Sequence, residues 1–513
     1  MKLKTIIALS LFLGFSINNY SQLTAKENTL SKIRSEGFNN SEAMNMLSEF
    51  TDVYGQRLTG SREYYKAANW ISNKMKKVGL QNVHFENYCS DCRGWSIKTF
   101  NVEMVAPNYM KIAAYPLAMS KSTDGIVSGE IISIEDIGDM TKVRNEFSGK
   151  LKGKIILLGK EPKKKSLLDT IEFRYSDKQL KRMEQQVTSK VKTTPLPELF
   201  KEWEIEDEQE VPFLEFLEAE GALALLNTQP SYLGVLHPKE IYYYKDSDLK
   251  PLSYFSIMPE HFGRLFRMIK LNTTPTIRLN LNAEFYSEPE NNVNIIGEIT
   301  GADAKLKSES IMLGAHFDSW HSGTGATDNG ASCIVLVEAL RILKQINYKP
   351  KRTIRIGLWG GEEQAFLGSA AYAKEHFGAL NEKPNAESTK VSAYLNLDNG
   401  AGVIRGVYLQ KNELARPIFQ EIFEPISNLS SGAITIENTL STDHETFDHY
   451  NIPSFQFIQD ALAYNTSTHH TNLDLLEYVH ENDMIKNAVI LAWTIYSLDN
   501  MKEKIPRKKN NPQ

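Results

Sequence analysis

Histidine and acidic residues in this chain fall where apolar runs end. His316, with Asp318 two residues on, closes the run Ile311–Ala315. Glu362 and Glu363 follow Thr353–Trp359 and a Gly pair, and Asp398 follows Val391–Leu397. Asp328 sits in Thr327-Asp-Asn-Gly330, just ahead of the apolar segment Ala331–Ile346, and His470 and Asp474 share the run His469-His-Thr-Asn-Leu-Asp474. In open α/β sheets, ligands bind at the carboxyl ends of strands. Imidazole and carboxylate converging there suit a divalent metal, zinc above all, with no thiolate required. Two metals about 3.5–4 Å apart need a carboxylate that spans them. His316, Asp328, Glu363, Asp398 and His470 supply five ligands, enough for two zinc ions with one ligand shared and a position left for water. Glu362 is then spare and can act as a general base, since one backbone turn can aim adjacent glutamates differently. Asp318 is placed to orient the His316 imidazole, as metal-bound histidine usually requires.

Other catalytic patterns fail. His444-Glu-Thr-Phe-Asp-His449 is one residue too long for the H-E-x-x-H zinc helix, with Asp448 where the second His belongs. There is no G-x-S-x-G nucleophile elbow and no phosphate-binding loop, and Gly323-Thr-Gly325 lacks the third glycine of a dinucleotide fingerprint.

The elements that must carry these residues alternate in type. Strand-like runs at 311–315, 353–359 and 391–397 are separated by helical segments at 331–346 and 368–377, a βαβ rhythm that predicts a sheet at least partly parallel with helices on its faces. Upstream, Ala67, Ile71, Met75 and Val78 recur at helical spacing, with Gly79 as the stop. Residues 120–290 change character, with short β-like runs at 129–134, 154–158 and 221–226. Between them lies a charged stretch, 160–210, expected to be a solvated helical face.

The 513 residues are 41% apolar and 24% charged, which excludes a disordered chain and a disulfide-dense mini-domain. A formal net charge of −5 gives no global pull toward nucleic acid or anionic lipid. Lys2 and Lys4 precede a mostly apolar run from Thr5 to Ile17, shorter than the about 20 residues a spanning helix needs. It reads as a signal peptide, cleaved after Ser21, and the mature chain as exported to the periplasm or the medium with no integral membrane segment. Cys89 and Cys92 suit a local disulfide in an oxidising compartment, and Cys333 suits the core. The end of the chain, with Arg507, Lys508 and Lys509, reads as a frayed basic tail.

Gly314-Ala-His-Phe-Asp-Ser-Trp320, Ala326-Thr-Asp-Asn-Gly330, Trp359-Gly-Gly-Glu-Glu-Gln364 and the late His-His…Asp resemble the di-zinc aminopeptidase and glutamate carboxypeptidase family. The segments Gly55–Ser61 and Lys349–Thr353 match as well, so the likeness runs from about 40 to 495. It implies a mixed, largely parallel sheet flanked by helices, of the zinc-peptidase (phosphorylase/hydrolase-like) type, with a β-rich protease-associated domain inserted. The implied layout is a signal at 1–21, an N-terminal peptidase part at 22–115, the insert at 116–288, the catalytic domain at 289–500 and a tail at 501–513. It also implies that His316 and Asp398 hold one zinc, Glu363 and His470 the other, with Asp328 bridging and Glu362 as base. Many relatives carry Tyr directly before the late ligand; here that position is His469, and either His469 or Tyr464 could steady the oxyanion. The expected activity is zinc-dependent exopeptidase cleavage of small peptides, as a dipeptidase or aminopeptidase, by a chain that could form a homodimer. The alternatives are a non-catalytic receptor-like relative and a single-zinc glutaminyl cyclase.

Overall fold

The computed structural model describes residues 25–508 except Lys164, Leu167, Gln209, Leu233 and Ile241. The signal-peptide segment and Lys509 lie outside the described residues. Two eight-stranded mixed sheets, each flanked by helices, organise the chain. In the first, the strands run in the order Gln81–Asn87, Val293–Ile299, Thr353–Trp359, Ser310–His316, Val391–Asn396, Ser454–Gln459, Ile404–Tyr408 and Ala433–Thr435. The three strands that end in site residues lie side by side and parallel, with Ser310–His316 in the centre. All their residues but Arg355 are buried, the pattern of strands covered on both faces. Parallel pairing brings their carboxyl ends to one edge. His316 is in register with Trp359, so the loops carrying Asp318 and Glu362 leave the sheet together.

Local chemistry sets the helices. Ser61 caps Arg62–Val78 by accepting from the Tyr64 N–H, and Gly79 ends it in the left-handed conformation (φ 91°). Ala331–Gln345 and Glu481–Asp499 are apolar over most of their surface and pack together beneath the sheet. Among the described residues no helix is long and apolar enough to cross a membrane.

The second sheet takes its strands from Gly94–Ala106 through Thr276–Tyr286, so it begins ahead of the boundary expected at 116. The reason is that Gly94–Ala106 pairs along nearly its whole length with Thr276–Tyr286, and the chain leaves the first sheet straight after Gln81–Asn87. Leu58, Trp95, Ala118, Met119 and Trp320 form a small apolar cluster joining the two halves. Cys89 and Cys92 are joined as a disulfide, and Cys333 is free and buried.

Two expectations hold only in part. The charged stretch is solvated at Lys163, Lys165 and Glu202, but Arg174 meets Asp460 (3.1 Å) and Asp483 (2.7 Å), both buried on the first-sheet half. Leu180 of helix Asp177–Glu184 packs on Ala433 and Ile458. Nor is the tail frayed up to 508, because Arg507 donates to the Ser388 and Val391 carbonyls and Lys508 meets Asp448 at 2.5 Å.

Candidate metal centre

His316 ends the central strand, and its ring is fully buried. Its Nδ1 lies 3.1 Å from the Asp318 backbone carbonyl. Its Nε2 faces Asp328 Oδ1 at 3.1 Å and Asp398 Oδ1 at 3.3 Å. Burial alone would lower this imidazole's pKa, but the Asp398, Glu362 and Asp328 carboxylates outweigh it and hold it well above the ordinary value. The Asp318 carboxylate does not take the expected role. Its nearer oxygen is 3.8 Å from His316 Nδ1, and it instead accepts from the Glu362 N–H (3.2 Å), the Glu363 N–H (3.1 Å) and the Thr59 hydroxyl (3.1 Å). Asp318 therefore fixes the turn that carries the glutamate pair, and its backbone carbonyl, not its side chain, meets the imidazole.

That turn aims the two glutamates apart. Glu363 Oε2 lies 2.9 Å from His470 Nε2, which is also 3.3 Å from Asp328 Oδ2. Burial pushes the Glu363 carboxyl up to about 7, with Asp328 adding to the push. Burial drives Glu362 well above the usual carboxylate range; His316 partly offsets this, and Asp398 and Asp443 reinforce it. Asp328 is held well below its ordinary value, because the flanking histidines overcome its burial.

Asp474 holds the Asp328 loop. It accepts from the Thr327 N–H (2.5 Å), the Thr327 hydroxyl (2.8 Å) and the Asp328 N–H (3.3 Å). His469 stacks on His470 with ring centroids 3.7 Å apart and stays half exposed, its Nε2 3.8 Å from Asp328 Oδ2. Tyr464 lies against His469, centroids 4.8 Å apart.

The donor set fits divalent metal. The two oxygens of Asp328 face different imidazoles, and each imidazole nitrogen meets a second carboxylate. Asp328 Oδ2 and Glu363 Oε1 are buried without an aligned hydrogen bond, as cation-facing oxygens would be. Residues 294–494 match peptidase family M28. The chain carries an M28 peptidase domain. The chain is 24% identical to carboxypeptidase Q of Mus musculus over 463 residues, covering 90% of this chain and 86% of that one. A peptidase M28 precursor from Shewanella amazonensis superposes with a TM-score of 0.66 at 21% identity, covering 95% of this chain and all of that one. A zinc aminopeptidase from Bacillus subtilis superposes with a TM-score of 0.52 at 18% identity, over 89% and 93% of the two chains.

The M28 domain brings all six sequence-predicted ligand and base positions to one sheet edge. Three neighbours were given no role by the sequence motifs. Asp443 is fully buried, and burial pushes it to about 8. Arg57, also buried, donates to the carbonyls of Phe317, Thr324 and Gly325 and so braces the loops on both sides of the site. Its segment, Gly55–Ser61, was visible as a family match, but not its task. Glu240, from the second-sheet half, meets His470 Nδ1.

Proposed function

We propose that this chain is an exported di-zinc exopeptidase that hydrolyses small peptides, dipeptides foremost. The observation that carries the reading is Asp328, whose two carboxylate oxygens face His316 at 3.1 Å and His470 at 3.3 Å. A carboxylate so placed suits a shared ligand, with His316 and Asp398 on one side and Glu363 and His470 on the other. When bound, zinc would supply Lewis acidity, lowering the pKa of water toward about 7 and favouring negative charge on the carbonyl oxygen.

The chain's own groups do the rest. Glu362, buried and raised in pKa, takes the proton of the attacking water and delivers it to the leaving amine. Asp318 holds the Glu362 and Glu363 backbone so that the two carboxylates point to different tasks. Trp320, whose ring lies 6.0 Å from that of His470, narrows the approach. The second-sheet half serves as the protease-associated insert that limits the cleft to short substrates. The Cys89–Cys92 disulfide supports an oxidising compartment, in keeping with export.

Zinc counting combined with a peptide panel tests this. Two zincs per chain and chelator-sensitive cleavage of free dipeptides are expected, with Glu362→Gln keeping both ions and losing about 100- to 10,000-fold in turnover. Wild-type turnover in that variant rules out the base assignment. Stepwise release of N-terminal residues from long peptides would instead make the enzyme a general aminopeptidase, and one zinc per chain would favour the cyclase.

A further inference from the structure

The two histidines of the centre are oriented by different means. His316 Nδ1 meets a backbone carbonyl of its own loop. His470 Nδ1 meets Glu240 Oε1, a carboxylate 230 residues earlier that belongs to the second-sheet half. We propose that Glu240 is a positioning residue for the metal centre, reaching from the second-sheet half to fix the ring and tautomer of His470. This rests on the reading of His470 as a zinc ligand.

Three features build the contact. First, the loop is tied to the His470 loop by a reciprocal pair. The Leu236 N–H donates to Asn472 Oδ1 (2.7 Å), and the Asn472 N–H donates to the Leu236 carbonyl (3.0 Å). Second, the carboxylate is itself held. The Tyr242 hydroxyl donates to Glu240 Oε2 (3.0 Å), and His237 Nε2 stands 3.8 Å from Oε1. Third, the loop is anchored to its own half, where the Lys239 N–H donates to Ser256 Oγ (3.0 Å) in strand Tyr254–Ile257 and the Lys239 ammonium pairs with Glu210.

The chemical consequence is specific. An imidazole that donates Nδ1–H to a carboxylate keeps its Nε2 lone pair free and gains basicity. Here Nε2 is the atom that faces Glu363 (2.9 Å) and Asp328 (3.3 Å). One of the two metal positions would therefore depend on the contact between the two halves of the molecule, while the other is complete within the first.

The test uses the purified full chain and its Glu240→Ala, Glu240→Gln and His470→Ala variants. Zinc affinity is read by competition with a chromophoric chelator, and the environment of each ion by the absorption of the cobalt-substituted protein. Glu240→Ala is expected to weaken one zinc equivalent by about 10- to 100-fold and to leave the other unchanged. Glu240→Gln, whose amide oxygen still accepts, should fall between it and wild type, a graded rescue that simple loosening of the loop would not give. The Gln variant alone carries the comparison if the Ala variant does not fold. If His470→Ala loses one zinc while both Glu240 variants bind like wild type, the positioning role is wrong and the di-zinc reading stands. If His470→Ala keeps both ions, the di-zinc reading itself fails. A third equivalent in wild type, lost in Glu240→Ala and in His237→Ala, would make Glu240 a ligand and overturn the proposal.

Discussion

Asp318→Asn separates positioning from binding. The carboxylate is wholly buried and accepts three hydrogen bonds, from the Glu362 N–H to Oδ1 and from the Glu363 N–H and the Thr59 hydroxyl to Oδ2. An asparagine offers one acceptor oxygen. Whichever way the amide is turned, one of the two glutamate N–H groups faces an NH2. A hydrogen bond to a charged acceptor contributes about 1.5–3 kcal/mol, and a buried N–H left without a partner costs about 1–3 kcal/mol. Removing the buried charge returns part of that, since burial raises the Asp318 carboxyl above its ordinary pKa. A net stability loss of about 2 kcal/mol is expected. The larger effect is on rate, because the displaced turn carries Glu362, and a misplacement of about 1 Å costs about 100-fold. The assay is dipeptide hydrolysis at saturating zinc, with kcat and KM resolved, alongside thermal melting of the same preparations. KM should hold, because Asp318 faces the turn and not the open side of the site. Wild-type kcat in a variant whose melting midpoint has fallen would refute the reasoning, for it would show that the turn does not need its carboxylate.

Arg57→Lys should fail to replace the native residue, because one ammonium cannot reach the Phe317, Thr324 and Gly325 carbonyls at once; a melting midpoint close to that of Arg57→Ala checks this. Gly314→Ala drives a Cβ into the Tyr394 hydroxyl, which accepts from Trp359 Nε1 (2.8 Å), so overpacking should cost about 1–3 kcal/mol or more in chemical denaturation. Burial raises Glu445 from an ordinary 4.5 to about 7. A raised folded-state pKa means the folded chain holds this proton more tightly, so the group's share of stability is full below 4.5 and is lost as pH rises through about 7. Glu445→Gln should flatten the stability–pH curve between those limits, and an unchanged curve would remove Glu445 as its source.

His316, the Glu362–Glu363 pair and Asp398 were legible as candidates because each sits at or just past the end of a buried strand, and parallel pairing carries those three ends to one edge, whereas Asp328 and His470 stood out through their motifs. Helix Arg62–Val78 was legible through its spacing and its capping residues. What escaped was partnership across the fold. Asp318 lies two residues from His316, so proximity in sequence suggested the imidazole, whereas the parallel register puts its carboxylate under the Glu362–Glu363 backbone. Arg174 read as a solvated charge because its partners, Asp460 and Asp483, are more than 280 positions away and carry no motif. Glu240 lies in His237-Pro-Lys-Glu240, which nothing in the sequence marks as part of a site.

The second-sheet half does more than sit beside the peptidase sheet. Its strands are inserted between Gln81–Asn87 and Val293–Ile299, which are antiparallel neighbours in the first sheet. Both ends of the insertion are therefore anchored at one sheet edge, which restricts how the halves can move apart. The remaining contacts add to this restraint. His321 Nε2 lies 2.7 Å from the Pro116 carbonyl, and burial lowers this imidazole to about 4, so at neutral pH it is uncharged and can donate there without a counter-charge. Trp320, in the same loop, joins the apolar cluster between the halves and also faces His470. Separating the halves would expose that cluster and withdraw Glu240 from His470 in one motion. The apolar cluster and the Glu240–His470 contact thus lie along the same seam between the halves.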